Sequence, residues 1–143
     1  MLKFLVPVDG SAASGRAVDY LIKKLDVFKD PVEIHLLSVQ PPIPYGGRVS
    51  SVIGQDKLAQ YHQEEAMIVL KPVMQKLEAA RVKFHHHIGV GDAAEIICKY
   101  AKEKGCDQIV MGTRGMGTVS NLVLGSVATK VMHLTPVPVL LVK

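Results

Sequence analysis

The chain has 143 residues, of which 48% are hydrophobic and 21% charged. That suits one domain with a single core and excludes disorder. Lys and Arg number 17 against 13 Asp and Glu, a net charge of +4, with no run of five positive residues, 5% aromatics and no Trp. A nucleic-acid arm and a stacking platform for single strands are thereby excluded, while the mild positive balance favours an anionic ligand.

The apolar run Leu2 to Val8 stops at Asp9, too short for a signal peptide, and no 18-residue apolar stretch is present to span a membrane. Cys98 and Cys106 have neither C-x-x-C nor zinc spacing. Reduced structural thiols and a cytoplasmic location are expected.

In chain order, Leu2 to Val6 reads as a short strand and Asp9-Gly10-Ser11 as its exit turn. Ser11 is a candidate N-cap for a helix carrying Ala17, Val18, Leu21, Ile22, Leu25 and Phe28 and ended by Asp30-Pro31. Glu33 to Val39 is a second, largely buried strand, whose His35 reads as a partnered strand residue rather than a ligand. Gln40 to Gln55 holds too many Pro and Gly residues for a regular element, leaving open a lid over a pocket or a plain surface loop.

Asp56 to Ala80 is a long helical pattern with Leu58, Tyr61, Val69, Val73, Leu77 and Ala80 on one face and a kink expected at Pro72. Arg81 to Ile88 alternates as a strand, with Phe84 and His86 on one side and Lys83, His85 and His87 on the other. Of the three histidines only His85 and His87 can chelate together, and no carboxylate or cysteine is near them in sequence, so no metal site is expected. Gly89 to Asp92 reads as a turn, and Asp92 with Glu95 as a capping-box start to a helix that Gly105 closes. A strand at Gln108 to Met111, a glycine-rich loop, a helix from Gly125 to Leu134 and a last strand complete the chain.

The glycine-rich loop carries the chemistry. Gly112, Gly115, Gly117 and Gly125 fall between that strand and Ser126 at the start of a helix. Exposed N–H groups on glycines, with the orphan amides and dipole of a helix start, suit a phosphate. No G-x-x-x-x-G-K-[ST] occurs, and Gly112, Gly115 and Gly117 run as G-x-x-G-x-G, the reverse of the dinucleotide fingerprint. A phosphate held here is held by another design.

Gly112-x-x-Gly115, nine residues, then Gly125-Ser126 resembles the G-2x-G-9x-G-[ST] signature of the nucleotide-binding branch of the universal stress protein family. Val6-Pro7-Val8-Asp9-Gly10-Ser11 resembles that family's first strand and turn, and Pro136 to Val142 its last strand, so the likeness covers residues 1–143 as one domain. Strictly alternating strands and helices predict an α/β fold, an open parallel five-stranded sheet with helices on both faces, and ligands at the carboxyl ends of its strands. The order 3-2-1-4-5, a Rossmann-like or adenine nucleotide alpha hydrolase-like sheet, is what the resemblance implies.

The resemblance further implies that Asp9 accepts from ribose hydroxyls and that Pro7, Val8 and Val39 border the adenine. Gly112, Gly115, Gly125, Ser126 and Val127 would hold the phosphates, with Arg114 either adding charge or lying solvated. Asp9 also reads as a turn residue bonded to Ser11. The expected ligand is ATP with Mg²⁺, in a stress-response or regulatory protein. No loop lysine and no carboxylate pair for magnesium and water are evident, so hydrolysis is expected to be slow or absent. The alternative is a slow ATPase or an adenylyl-transferring enzyme on the same scaffold. Val137 to Val142 is apolar on both faces, and as an edge strand it predicts a homodimer by antiparallel pairing.

Overall fold

A computed structural model describes residues 1–42, 54–113 and 124–143. The elements are β1 (Leu2–Pro7), α1 (Ala12–Lys23), β2 (Val32–Gln40), α2 (Gln55–Ala79), β3 (Lys83–Val90), α3 (Ala93–Glu103), β4 (Gln108–Gly112), α4 (Ser126–Leu134) and β5 (Val139–Val142). The five strands form one parallel sheet in the order β3-β2-β1-β4-β5. The expected order is therefore observed, including the neighbouring of β1 and β4, which share the register Phe4↔Gln108 and Leu5↔Ile109.

Alternation along the strands splits the core into two layers. Phe4, Val6, Ile34, Leu36 and Val110 face α1 and α2, meeting Ala17, Val18, Leu21, Leu70, Val73 and Leu77. Leu5, Leu37, Ile109 and Met111 face α3 and α4, meeting Ala94, Ile97, Ala101, Ala128 and Val131. Each fully buried Leu or Ile contributes about 1.5–3 kcal/mol of apolar transfer, so the two faces share the stabilisation.

Local chemistry sets where the helices begin. Ser11 caps α1, its hydroxyl accepting from the Ser14 amide at 3.2 Å. Asp92 caps α3 by accepting from the Glu95 amide at 3.1 Å. Among the described residues no helix is long and apolar enough to cross a membrane.

Several boundaries differ from the sequence reading. α1 stops at Lys23, because the Lys24 amide turns to the carbonyls of Tyr20 and Leu21, and a 3-10 turn at Leu25–Val27 replaces the last predicted turn. β3 runs on through Gly89 and Val90, paired with Val39 and Gln40, so the turn begins only at Gly91. α2 runs unbroken through Pro72; its buried face is Ala66, Leu70, Val73 and Leu77, and Tyr61 is exposed. β5 begins at Val139 rather than Val137. Pro136 and Pro138 have no N–H for a ladder, and the Val137 amide is taken by the Thr135 hydroxyl at 3.1 Å. Of the 40–55 loop, residues 43–53 lie outside the described residues.

Candidate functional site

A cavity of about 320 Å³ opens at the carboxyl ends of β1 and β4. Here the winding of the sheet reverses, since β2 and β3 lie to one side of β1 and β4 and β5 to the other. Leu37, Val39, Met111, Ile97 and Ala128 give it an apolar wall on the α3 and α4 side. Pro7, Val8, Asp9, Ser11 and Ser14 form the opposite rim.

The β1–α1 turn is fixed from two directions. Asp9 accepts from the Ser11 amide through Oδ1 at 2.9 Å, which leaves Oδ2 without a partner among the described residues. Gly10 takes φ +84°, and a Cβ there would come within 2.8 Å of Val69 Cγ1. Only glycine satisfies both the backbone angle and the close passage of α2.

The start of α4 forms the other side of the cavity. Gly125 is the N-cap and has no side chain to offer, so among the described residues no side chain caps this helix. The amides of Ser126, Val127 and Ala128 belong to the first turn and have no intrahelical acceptor. Gly125 itself donates to the Thr113 carbonyl at 2.6 Å, and the Thr113 amide donates to the Val142 carbonyl at 3.0 Å. Thr113 thus ties α4 to the end of β5. Its hydroxyl is buried with no hydrogen-bond partner among the described residues. Gly112 presses on α1, where a Cβ would lie 2.7 Å from Ala13 Cβ and 2.8 Å from the Ala13 carbonyl carbon.

Residues next to the first turns of three helices line this cavity: Ser11 and Ser14 for α1, Ala93 for α3, Gly125 and Ser126 for α4. Helix N-termini carry partial positive charge and unpaired N–H groups, so their convergence favours an anion. Neither α1 nor α4 has an acidic residue in its first turn. The acids at the start of α3, Asp92 and Glu95, are paired with Lys130 at 3.0 and 3.7 Å. The Lys130 hydrogen bond, followed by that of the Glu95 amide, holds the Asp92 carboxyl below its ordinary range.

The residues named from the sequence therefore gather at one place. Pro7, Val8, Asp9, Val39, Gly112, Gly125, Ser126 and Val127 all line the cavity. Arg114 and Gly115, with the rest of the loop to Val123, lie outside the described residues. Sequence reading did not assign Leu37, Met111 or Thr113 to the site. Period two was the available signal, because Leu37 shares a strand face with Val39 and Met111 shares one with Thr113.

A second polar cluster sits on the α3 side of β2 and β3. His35 Nε2 meets Glu33 Oε1 at 2.8 Å and His35 Nδ1 meets His87 Nε2 at 2.9 Å, while Lys83 Nζ lies 3.3 Å from Glu33 Oε2. His85 Nε2 is 3.4 Å from Glu33 Oε1. A carboxylate is thus close to these histidines in space, though not in sequence. Among the described residues no group of three or more His, Cys, Asp or Glu is arranged to hold a metal ion.

Comparison with known proteins gives one answer. The family model described as the universal stress protein family matches residues 1–143. Universal stress protein MJ0531 of Methanocaldococcus jannaschii is 32% identical over 141 residues, covering 99% of this chain and 81% of its own length. The solved structure of MJ0577, from the same organism, superposes with a TM-score of 0.83 at 28% identity, covering 99% of this chain and 95% of that one. A universal stress protein family protein of Arabidopsis thaliana, solved with AMP bound, has a TM-score of 0.70 at 24% identity, covering 100% of this chain and 92% of its own.

Proposed function

The chain belongs to the universal stress protein family, and on that premise we propose that its cavity binds an adenine nucleotide, ATP with Mg²⁺ being the expected form. We read the protein as a stress-response regulator that senses or stores the nucleotide rather than turning it over. The observation that carries this reading is the meeting of three helix starts, one of them without a side-chain cap among the described residues, with the exposed Asp9 carboxylate beside an apolar wall. Such a site offers amides to phosphate, a carboxylate to a diol and a dry surface to a purine.

In this reading Pro7, Val8 and Val39 border the adenine, and the second oxygen of Asp9 accepts from the ribose hydroxyls. The amides of Gly112, Ser126 and Val127, with the Ser126 hydroxyl, take phosphate oxygens, and Gly125, whose own amide is bonded to the Thr113 carbonyl, lets the ligand approach closely. Gly115 and Arg114 complete the phosphate side by the spacing of the motif. The AMP bound by the Arabidopsis protein, which shares the fold, supports the ligand class. The cavity volume of about 320 Å³ suits a bound small molecule.

Native mass spectrometry of protein purified without added nucleotide is expected to show an adenine nucleotide bound. Calorimetric titration of stripped protein with ATP and Mg²⁺ should show saturable binding, and Ser126→Ala should weaken it about ten- to a hundredfold, as a hydroxyl lost from a charged phosphate does. Wild-type protein that takes up no adenine nucleotide at millimolar concentration would refute the reading.

A further inference from the structure

Two acids stand at the start of α3, beside a cavity whose other features favour an anion. Asp92 is the N-cap and Glu95 lies in the first turn, and Ala93, next to Asp92 in the chain, lines the cavity. The Asp92 carboxylate has a local task there, since it accepts from the Glu95 amide at 3.1 Å and so caps the helix. Its charge nevertheless offsets the positive end of α3 and opposes a bound anion.

A single ammonium answers both acids. Lys130 Nζ lies 3.0 Å from Asp92 Oδ2 and 3.7 Å from Glu95 Oε1, and Lys130 is the only Lys or Arg of α4. It stands four residues beyond Ser126, which lines the cavity, and such neighbours on a helix are about 5–6 Å apart at Cβ. Charges act through physiological salt over roughly 8 Å, so the group is within range of the site. The side chains are 46% exposed for Lys130 and Asp92 and 65% for Glu95, and ion pairs so exposed add little to the stability of a fold. Their effect falls instead on the charge beside the cavity.

We propose that Lys130 is a specificity-determining residue of the cavity, one that offsets the charge of Asp92 and Glu95 and so lets the site prefer an anionic ligand to an uncharged one. This rests on the nucleotide reading above and adds to it a residue that selects for ligand charge without touching the ligand. The consequence has a particular sign. Losing the Lys130 charge weakens anion binding, whereas losing the Asp92 charge strengthens it, although the same ion pair is broken in both cases.

The test sets Lys130→Met, which keeps the apolar stem, beside Asp92→Asn, which keeps a capping oxygen, and beside the double variant. Each is titrated calorimetrically with AMP and with adenosine at low and at high salt, and each is melted without ligand. At low salt Lys130→Met is expected to bind AMP about threefold or more weakly, with adenosine within about twofold of wild type, and the AMP difference should fade at high salt. Asp92→Asn is expected to bind AMP about twofold or more tightly, and the double variant to return to within about twofold of wild type. Undiminished AMP binding by Lys130→Met overturns the assignment. Equal losses for AMP and adenosine also overturn it, because Lys130 then acts as a clamp between α3 and α4. Asp92→Asn that binds AMP no more tightly than wild type overturns it as well, and this variant decides alone should Lys130→Met melt early. All of these failures leave the nucleotide reading standing. Wild type that binds neither ligand defeats that reading itself, and the Lys130 assignment with it.

Discussion

Both ring nitrogens of His35 are bonded, and those two bonds fix the tautomers along the row. The Glu33 carboxylate only accepts, so His35 Nε2 carries the proton; His35 Nδ1 then accepts from His87 Nε2–H. Burial pushes the Glu33 carboxyl up, but hydrogen bonds from His35 and Lys83 outweigh it and keep the group below its ordinary value. Burial, assisted by the positive field of His35, Lys104, His85 and His86, lowers His87 from 6.5 to about 4. Between those values the unfolded chain takes up a proton that the folded chain refuses. His87 therefore supports full stability above about pH 6.5, and that support fades as the pH falls toward 4. Denaturant melts at pH 7.5 and 5 should differ by at least about 1 kcal/mol, and His87→Gln, which keeps a donor but cannot titrate, should shrink that difference. An unchanged pH dependence in the variant would rule His87 out as its source. Period two alone placed His85 and His87 on one strand face, but Glu33 became their neighbour only through the β2–β3 register, which no local pattern encodes.

At the scale of elements, the strands and helices were readable because each carries its own periodicity and its own stop signals. Their ends were less so. β3 outruns its sequence pattern because β2 pairs Gly89 and Val90 regardless of the weak strand preference of Gly89. The junction of α1 with β4 was not readable at all, since it is a backbone contact between Gly112 and Ala13. It supplies a contrast between two glycines. A Cβ at Gly112 meets Ala13 Cβ, carbonyl carbon and carbonyl oxygen at 2.7, 2.8 and 3.0 Å, and main chain cannot swing aside as a flexible side chain would. At Gly105, at the far end of α3, φ is +63° and nothing lies within 4 Å. Gly112→Ala should cost about 1–3 kcal/mol and also weaken nucleotide binding, by shifting α1 against the cavity floor. Gly105→Ala should cost about 1–2 kcal/mol through backbone strain and leave affinity unchanged. Chemical denaturation and calorimetry on both variants separate the effects, and equal affinities would show that the Gly112 junction does not shape the cavity.

The whole molecule ends in an unequal pair of sheet edges. β3 carries Lys83 and three histidines along its edge, whereas β5 is Val-Leu-Leu-Val, half-buried on both faces. Val127, Met132 and Leu134 of α4 are exposed as well. Unpaired strand edges without charge invite another strand, and two-fold symmetry makes the pairing of two β5 strands antiparallel. We therefore expect a homodimer through β5, with Leu140→Asp plus Val142→Lys leaving a folded monomer. Light scattering decides it: a wild type monomeric at micromolar concentration, or a double variant still dimeric, would exclude this seam. The apolar edge was visible in the sequence, but that β5 is an edge followed only from the strand order. One residue's main chain then acquires a second meaning. The Thr113 amide holds the last residue of β5 while its carbonyl holds the N-cap of α4, so cavity and edge strand are joined by a single link of backbone. Two equilibria that share such a link are bound by reciprocity: whatever factor a filled cavity applies to self-association, self-association returns to the affinity for the ligand.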